Sequence, residues 1–186
     1  MEKSTKNPWK TLKSEVKYDN PWISITEHQT INADDKDGIY GVVHYKNIAI
    51  GIIPLDEDYN TWLVGQYRYP LQQYSWEICE GGGLIGEDVL TSAQRELLEE
   101  LGIKASKWSI LMEMHLSNSV SDEKGIIYTA KELSFYPPEP EEGEVLQIKK
   151  LPFNEVYQMV IDGELTDSLT VAGILKTKLL IDQGII

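Results

Sequence analysis

Between Gly81 and Ile103 the chain reads Gly-x5-Glu-x7-Arg-Glu-Leu-x-Glu-Glu-x-Gly-Ile. The fixed places are Gly81, Glu87, Arg95, Glu96, Leu97, Glu99, Glu100, Gly102 and Ile103. The stretch predicts a glycine-rich loop, Gly81-Gly82-Gly83 and then Gly86, feeding a helix near 87–101. Residues three and four apart are neighbours on a helix, so Glu96, Glu99 and Glu100 share an arc of roughly 100°. Like charges at that spacing repel. Glu99 and Glu100 also precede Gly102, a natural C′ cap, where the helix macrodipole disfavours acids. A solvated charged face is the ordinary use of an acidic helical run, but a helix chosen for stability would carry Lys or Arg there. A divalent cation among the carboxylates removes the conflict. Hard cations such as Mg²⁺ take carboxylate oxygens, keep some waters and share the rest of their shell with substrate phosphates. Such an ion neutralises a phosphoanhydride, polarises its phosphorus and lowers the pKa of a bound water.

Arg68 and Arg95 are the only arginines in the chain. Arginine grips phosphate through a rigid fork that lysine cannot copy. Arg95 lies inside the spaced motif, and Arg68 ends a strand-like run, Thr61-Trp62-Leu63-Val64-Gly65-Gln66-Tyr67. An isolated arginine at a strand end is as often a plain surface residue.

The elements that must position these residues are legible in outline. Leu90, Ala93, Leu97 and Leu101 recur at helical spacing, which predicts an apolar face on a sheet beside the acidic arc. Strands are expected over 48–54 and 61–67 and near 125–130, with helices near 153–162 and 168–182. Asp167 or Ser168 would cap the last helix. Before residue 47, Trp22-Ile23-Ser24-Ile25-Thr26 ends in strand alternation. The polar turn Ala33-Asp34-Asp35-Lys36-Asp37-Gly38 leads into a second strand, Ile39 to Val43. The expected organisation is a small antiparallel β subdomain over 1–46 and a larger α/β domain over 47–186.

The spaced motif resembles the Nudix hydrolase signature at every position. The resemblance implies an α/β/α sandwich with a mixed sheet, and an enzyme that hydrolyses a phosphoanhydride with Mg²⁺ or Mn²⁺. It assigns the metal to Glu96 and Glu100 with help from Glu99, and to the backbone carbonyl of Glu80. Arg95 would orient the acids, and Glu87 would support the segment locally. Flanking residues are similar to the ADP-ribose pyrophosphatase and nucleoside diphosphate sugar hydrolase branch. They are Gln66-Tyr67-Arg68, Trp76-Glu77-Ile78-Cys79-Glu80-Gly81-Gly82, Pro137 to Glu144, and Gly163 to Thr170. That likeness implies substrate contacts from Arg68, Glu77, Gly82 and Trp22. It also implies a catalytic base on the acidic loop, with Glu141 or Glu142 favoured by spacing over Glu139 and Glu144. In relatives the N-terminal sheet exchanges between two subunits and helps build a base pocket, so a homodimer is expected. Trp9 and Trp22, each preceded by proline, offer rings to a nucleobase, although packing in the subdomain or an interface is their commoner use.

Two departures widen the expected substrate range. Ser117-Asn118-Ser119-Val120-Ser121-Asp122-Glu123 stands where ADP-ribose-specific members carry a proline, and Cys79-Glu80-Gly81-Gly82-Gly83 stands where many have Pro-Ala-Gly. The expected reaction is cleavage of ADP-ribose, GDP-mannose, ADP-glucose or a similar compound into a nucleoside monophosphate and a sugar phosphate. The competing readings are a non-catalytic sensor of ADP-ribose-like ligands, and a hydrolase of nucleoside triphosphates or dinucleoside polyphosphates.

Composition sets the bounds. With 186 residues and 41% hydrophobic content the chain can bury one sizeable core. A net charge of −13 argues against nucleic acid or an anionic membrane as partner. A single cysteine, Cys79, suits a reducing cytoplasm and predicts a buried, inert thiol. No apolar run approaches the ~20 residues of a membrane span, and the first residues lack the apolar core of a signal peptide. His28, His44 and His115 show no metal-ligand spacing.

Overall fold

A computed structural model describes residues 6–139 and 145–186. The chain divides into two compact units. One runs to Lys46 and includes His115–Glu123; the other comprises Asn47–Met114 and Lys124–Ile186.

The first unit is a three-stranded antiparallel sheet of β1 (Lys10–Asp19), β2 (Ile23–Ile31) and β3 (Asp37–Tyr45), with β2 in the middle. Asn20 makes the first turn by accepting from the amides of Trp22 and Ile23, at 2.9 and 2.7 Å. Asn32 makes the second in the same way, accepting from Asp34 and Lys36. Every residue of β1 is exposed, including Leu12, Val16 and Tyr18. Residues 115–123 are fastened to β3. Val43 donates to the Val120 carbonyl at 2.9 Å, His44 Nδ1 lies 2.6 Å from an Asp122 oxygen, and Tyr40 donates to Ser119 at 2.6 Å.

The second unit holds two sheets. One orders β10 (Gln147–Pro152), β5 (Asn60–Arg68) and β6 (Gln73–Glu77). The other orders β7 (Cys79–Leu84), β4 (Asn47–Pro54), β9 (Lys124–Phe135) and β8 (Ile103–His115). β4 pairs antiparallel with β7 and parallel with β9, so this sheet is mixed. Strand alternation explains why β4 is apolar on consecutive residues. Ile50 and Ile52 point to one face, where they meet Ala93, Leu97 and Leu101 of α1 (Val89–Leu101). Gly51 and Ile53 point to the other face and meet Leu169 and Gly173 of α3 (Ser168–Asp182). A strand covered by helices on both sides must read as an apolar run. The α/β/α arrangement expected from the sequence is therefore present, with α2 (Phe153–Ile161) joining α3 at the chain's end.

Helix ends lie close to their expected places. Asp88 caps α1 by accepting from the Thr91 amide at 3.2 Å, and Gly102 closes it in the left-handed region at φ 63°. Asp167, rather than Ser168, caps α3, accepting from Thr170 at 2.8 Å. One expectation fails. Gly81, Gly82 and Gly83 are not a loop but the body of β7, paired with Ile50, Ala49 and Ile48. Among the described residues no helix is long and apolar enough to cross a membrane.

Between β4 and β5, Asp56 accepts from the amides of Asp58 and Asn60 and meets Lys150 of β10 at 2.8 Å. Burial opposes its ionisation, but Lys150 and the Asn60 side-chain and backbone N–H groups outweigh it, so its pKa falls to about 2. A lowered carboxyl contributes stability above its unfolded pKa, and loses it as the pH falls through the folded value. Asp56→Ala is expected to lower the unfolding free energy by about 2 kcal/mol at pH 7. In urea titrations the gap from the parent protein should close as the pH falls through about 2.

Candidate active site

The acidic arc of α1 lies against β7, and the bare backbone at Gly81 makes that approach possible. A Cβ on Gly81 would fall inside the Glu96 carboxyl group. One on Gly82 would come within 2.6 Å of Asn47 Nδ2, and one on Gly83 within 2.9 Å of Ile50 Cδ1. With no side chains in the way, strand amides reach the acids. The Gly82 amide donates to Glu96 at 3.3 Å and the Glu80 amide to Glu100 at 3.2 Å. Arg95 spans the outer edge. Its two terminal nitrogens each lie 2.7 Å from a carboxylate, Glu99 and Glu96, and one of them also donates to the Gly82 carbonyl at 3.3 Å. Backbone amides of β7 thus reach Glu96 and Glu100, and Arg95 joins Glu96 to Glu99. Glu87 accepts from the Ser92 hydroxyl at 2.8 Å at the entry to the helix.

The local electrostatics favour a cation. Glu100 is buried, and Glu96 is largely so; burial pushes the Glu96 pKa up despite Arg95. Burial and the neighbouring Glu100 carboxylate also push the Cys79 thiol well up, which keeps it inert. The donors are all oxygens, of the kind hard divalent ions take. Among the described residues no three of His, Cys, Asp or Glu already close on a single point.

Behind β7 lies a second layer of charge that the sequence did not announce. Glu77, only 3% exposed, accepts from Arg68 Nε through both oxygens at 3.0 Å and from Nη2 as well. Arg68 also comes within 3.5 Å of Glu80. The Glu80 side chain is therefore not a spectator. It takes the Thr170 hydroxyl at 3.2 Å and shares a hydrogen bond with Asp167. Burial, then Asp167 and the charge of Glu77, push its pKa well above the usual carboxylate range. Asp167 is lowered: burial opposes this, but the bonds from Glu80 and Thr170 prevail. The spacing of Asp167 and Thr170 signals a helix cap, and nothing local in the sequence connects them to Glu80.

The remaining expected residues lie apart or outside view. Trp22 belongs to the first unit, where it is exposed. Glu141 and Glu142 fall outside the described residues. The chain enters that segment beside the end of α1, where Tyr136 donates to the Gly102 carbonyl at 2.6 Å and Glu139 to that of Glu99 at 2.9 Å.

The Arg68–Glu77 pair makes a measurable demand. Removing one partner of a buried pair strands the other's charge, at a cost of about 3 kcal/mol or more. Arg68→Leu alone should show that loss in chemical denaturation, and the Arg68→Leu/Glu77→Leu double variant should recover a substantial part of it.

Comparison with known proteins places this geometry. The family model for the NUDIX domain matches residues 45–169, and that for the nucleoside diphosphate sugar hydrolase N-terminal domain matches residues 9–43. The ADP-ribose pyrophosphatase of Mycobacterium tuberculosis (strain ATCC 25618 / H37Rv) is 32% identical over 130 residues, which span 68% of this chain and 63% of that protein. The methanol dehydrogenase activator of Bacillus methanolicus is 30% identical over 128 residues, 68% of this chain and 69% of that one. The crystal structure of an ADP compounds hydrolase superposes with a TM-score of 0.86 over 99% of this chain and 100% of its own, at 22% identity, and so shares the fold. With the spaced motif on the helix and strand that present its acids, and the domain model covering most of the chain, the protein belongs to the Nudix family.

Proposed function

We propose that the chain is a divalent-metal-dependent pyrophosphohydrolase. It would cleave nucleoside diphosphate sugars, ADP-ribose among them, to a nucleoside monophosphate and a sugar phosphate. The observation that carries this reading is the acidic turn of α1 held against bare strand backbone, with strand amides on Glu96 and Glu100 and Arg95 as counter-charge to Glu96 and Glu99. Nudix hydrolases generally use divalent metal ions. Glu96, Glu99, Glu100 and the Glu80 carbonyl would hold the ion, Mg²⁺ or Mn²⁺, which when bound offsets phosphate charge and acidifies a water. Arg95 keeps Glu96 and Glu99 turned inward. Arg68 is locked by Glu77 through Nε and Nη2, and its Nη1 group, which has no hydrogen bond among the described residues, would meet a phosphate of the substrate. Glu141 or Glu142 would take the proton of the attacking water. Relatives named as ADP-ribose pyrophosphatase and the matched N-terminal domain support the diphosphate-sugar class. Glu77 would act on the substrate through Arg68, Gly82 completes the proposed contacts of this unit, and the cytoplasm is the proposed compartment.

The test is phosphate release, with a coupled phosphatase, from ADP-ribose, ADP-glucose, GDP-mannose, UDP-glucose, a dinucleoside polyphosphate and dGTP, in Mg²⁺ and in EDTA. Metal-dependent turnover of several diphosphate sugars is expected. Glu100→Gln should stay folded and lose a factor of about 100 or more. Binding without turnover in the parent protein would point instead to a sensor. We also propose a homodimer with exchanged N-terminal subdomains, because β1 leaves Leu12, Val16 and Tyr18 exposed on a full strand. Light scattering should give twice the chain mass, and a monomer at micromolar concentration would refute it.

A further inference from the structure

Ile78 is the residue at which the chain leaves one sheet for the other. Its predecessor Glu77 still pairs with Val64 of β5, and its successor Cys79 already pairs with Ile52 of β4. The Ile78 amide therefore has no strand partner, and a buried amide must find one elsewhere. It finds the Thr170 hydroxyl, at 3.0 Å, on the first turn of α3. The same oxygen donates its proton to Glu80 at 3.2 Å. Thr170 has no exposed surface. One hydroxyl thus fixes both ends of a short crossing. Upstream of it Glu77 holds Arg68, and downstream the amides of Glu80 and Gly82 hold Glu100 and Glu96.

We propose that Thr170 is a positioning residue for the metal-binding acids and for Arg68, setting the offset between them through the Ile78 amide and the Glu80 carboxyl. This rests on the pyrophosphohydrolase reading for its consequence in turnover, but not for its consequence in metal binding. Groups one step removed from a metal typically change its affinity about 10- to 100-fold when lost. A natural control lies on the same helix. Thr177 is as fully buried, and its hydroxyl has no hydrogen-bond partner among the described residues.

The experiment measures Mn²⁺ affinity of the full chain by calorimetry, with folding checked by circular dichroism, for Thr170→Val, Thr170→Ser and Thr177→Val. Thr170→Val should weaken Mn²⁺ binding about 10-fold and lower kcat more than it raises KM, Thr170→Ser should restore both, and Thr177→Val should leave both unchanged. A folded Thr170→Val that binds Mn²⁺ like the parent overturns the proposal. So does a Thr177→Val with the same loss, or a Thr170→Val that cannot fold while Thr177→Val does, since either would make the hydroxyl a matter of stability. If the parent binds Mn²⁺ but cleaves no diphosphate sugar, the functional reading fails, and the Mn²⁺ affinities alone decide the role of Thr170. A parent that binds no Mn²⁺ overturns it.

Discussion

A helix bearing three carboxylates can lie flush on a β-strand only where the strand offers backbone and nothing more. β7 meets that condition at Gly81, where any side chain would occupy the space of the Glu96 carboxyl. The close approach does two things at once. It turns strand amides into hydrogen-bond donors for Glu96 and Glu100, and it buries those acids enough to make their charge costly without a cation. The apolar side of α1, with Ala93 and Leu97 against Ile50 and Ile52, holds the helix at that distance. The core and the acidic site are thus two faces of one contact.

Charge is distributed with economy. The two arginines are both spoken for by glutamates, Arg68 by Glu77 and Glu80, and Arg95 by Glu96 and Glu99. Each is thereby fixed before any ligand arrives, which lowers the ordering cost of binding. Beside Arg68, Glu80 also shares a hydrogen bond with Asp167. The net charge of −13 belongs largely to the surface, while the buried acids are satisfied one by one.

Much of this was legible because it is local. The spacing of Glu96, Glu99 and Glu100 is a property of one helix, as is the cap at Gly102, and the local pattern narrows the cap of the last helix to Asp167 or Ser168; it misses the cap at Asp88. The apolar run at 48–54 marked a strand, and the structure covers it with helices on both faces. The glycines of β7 misled, since composition reads a glycine run as a turn, whereas here it marks the approach of a helix 14 residues further on in the case of Gly82 and Glu96. Links across long stretches of sequence were invisible, above all Thr170 to Ile78 and Glu80. The role of Glu77 as the buried mate of Arg68 was equally hidden, because a strand acid gives no sign of which neighbour it will meet.

The membership of residues 115–123 in the N-terminal unit carries a consequence for how the protein is made. A ribosome releases β1, β2 and β3 early, but the Val120 carbonyl and the Asp122 carboxylate that fasten onto β3 come some 75 residues later, after β4 to β8 have been synthesised. The unit that begins to leave the tunnel first is therefore completed only after β4 to β8 of the other unit have been made. Until then its exposed strand is a template without its fastening, and the nascent chain must pass through that stage before either unit is whole.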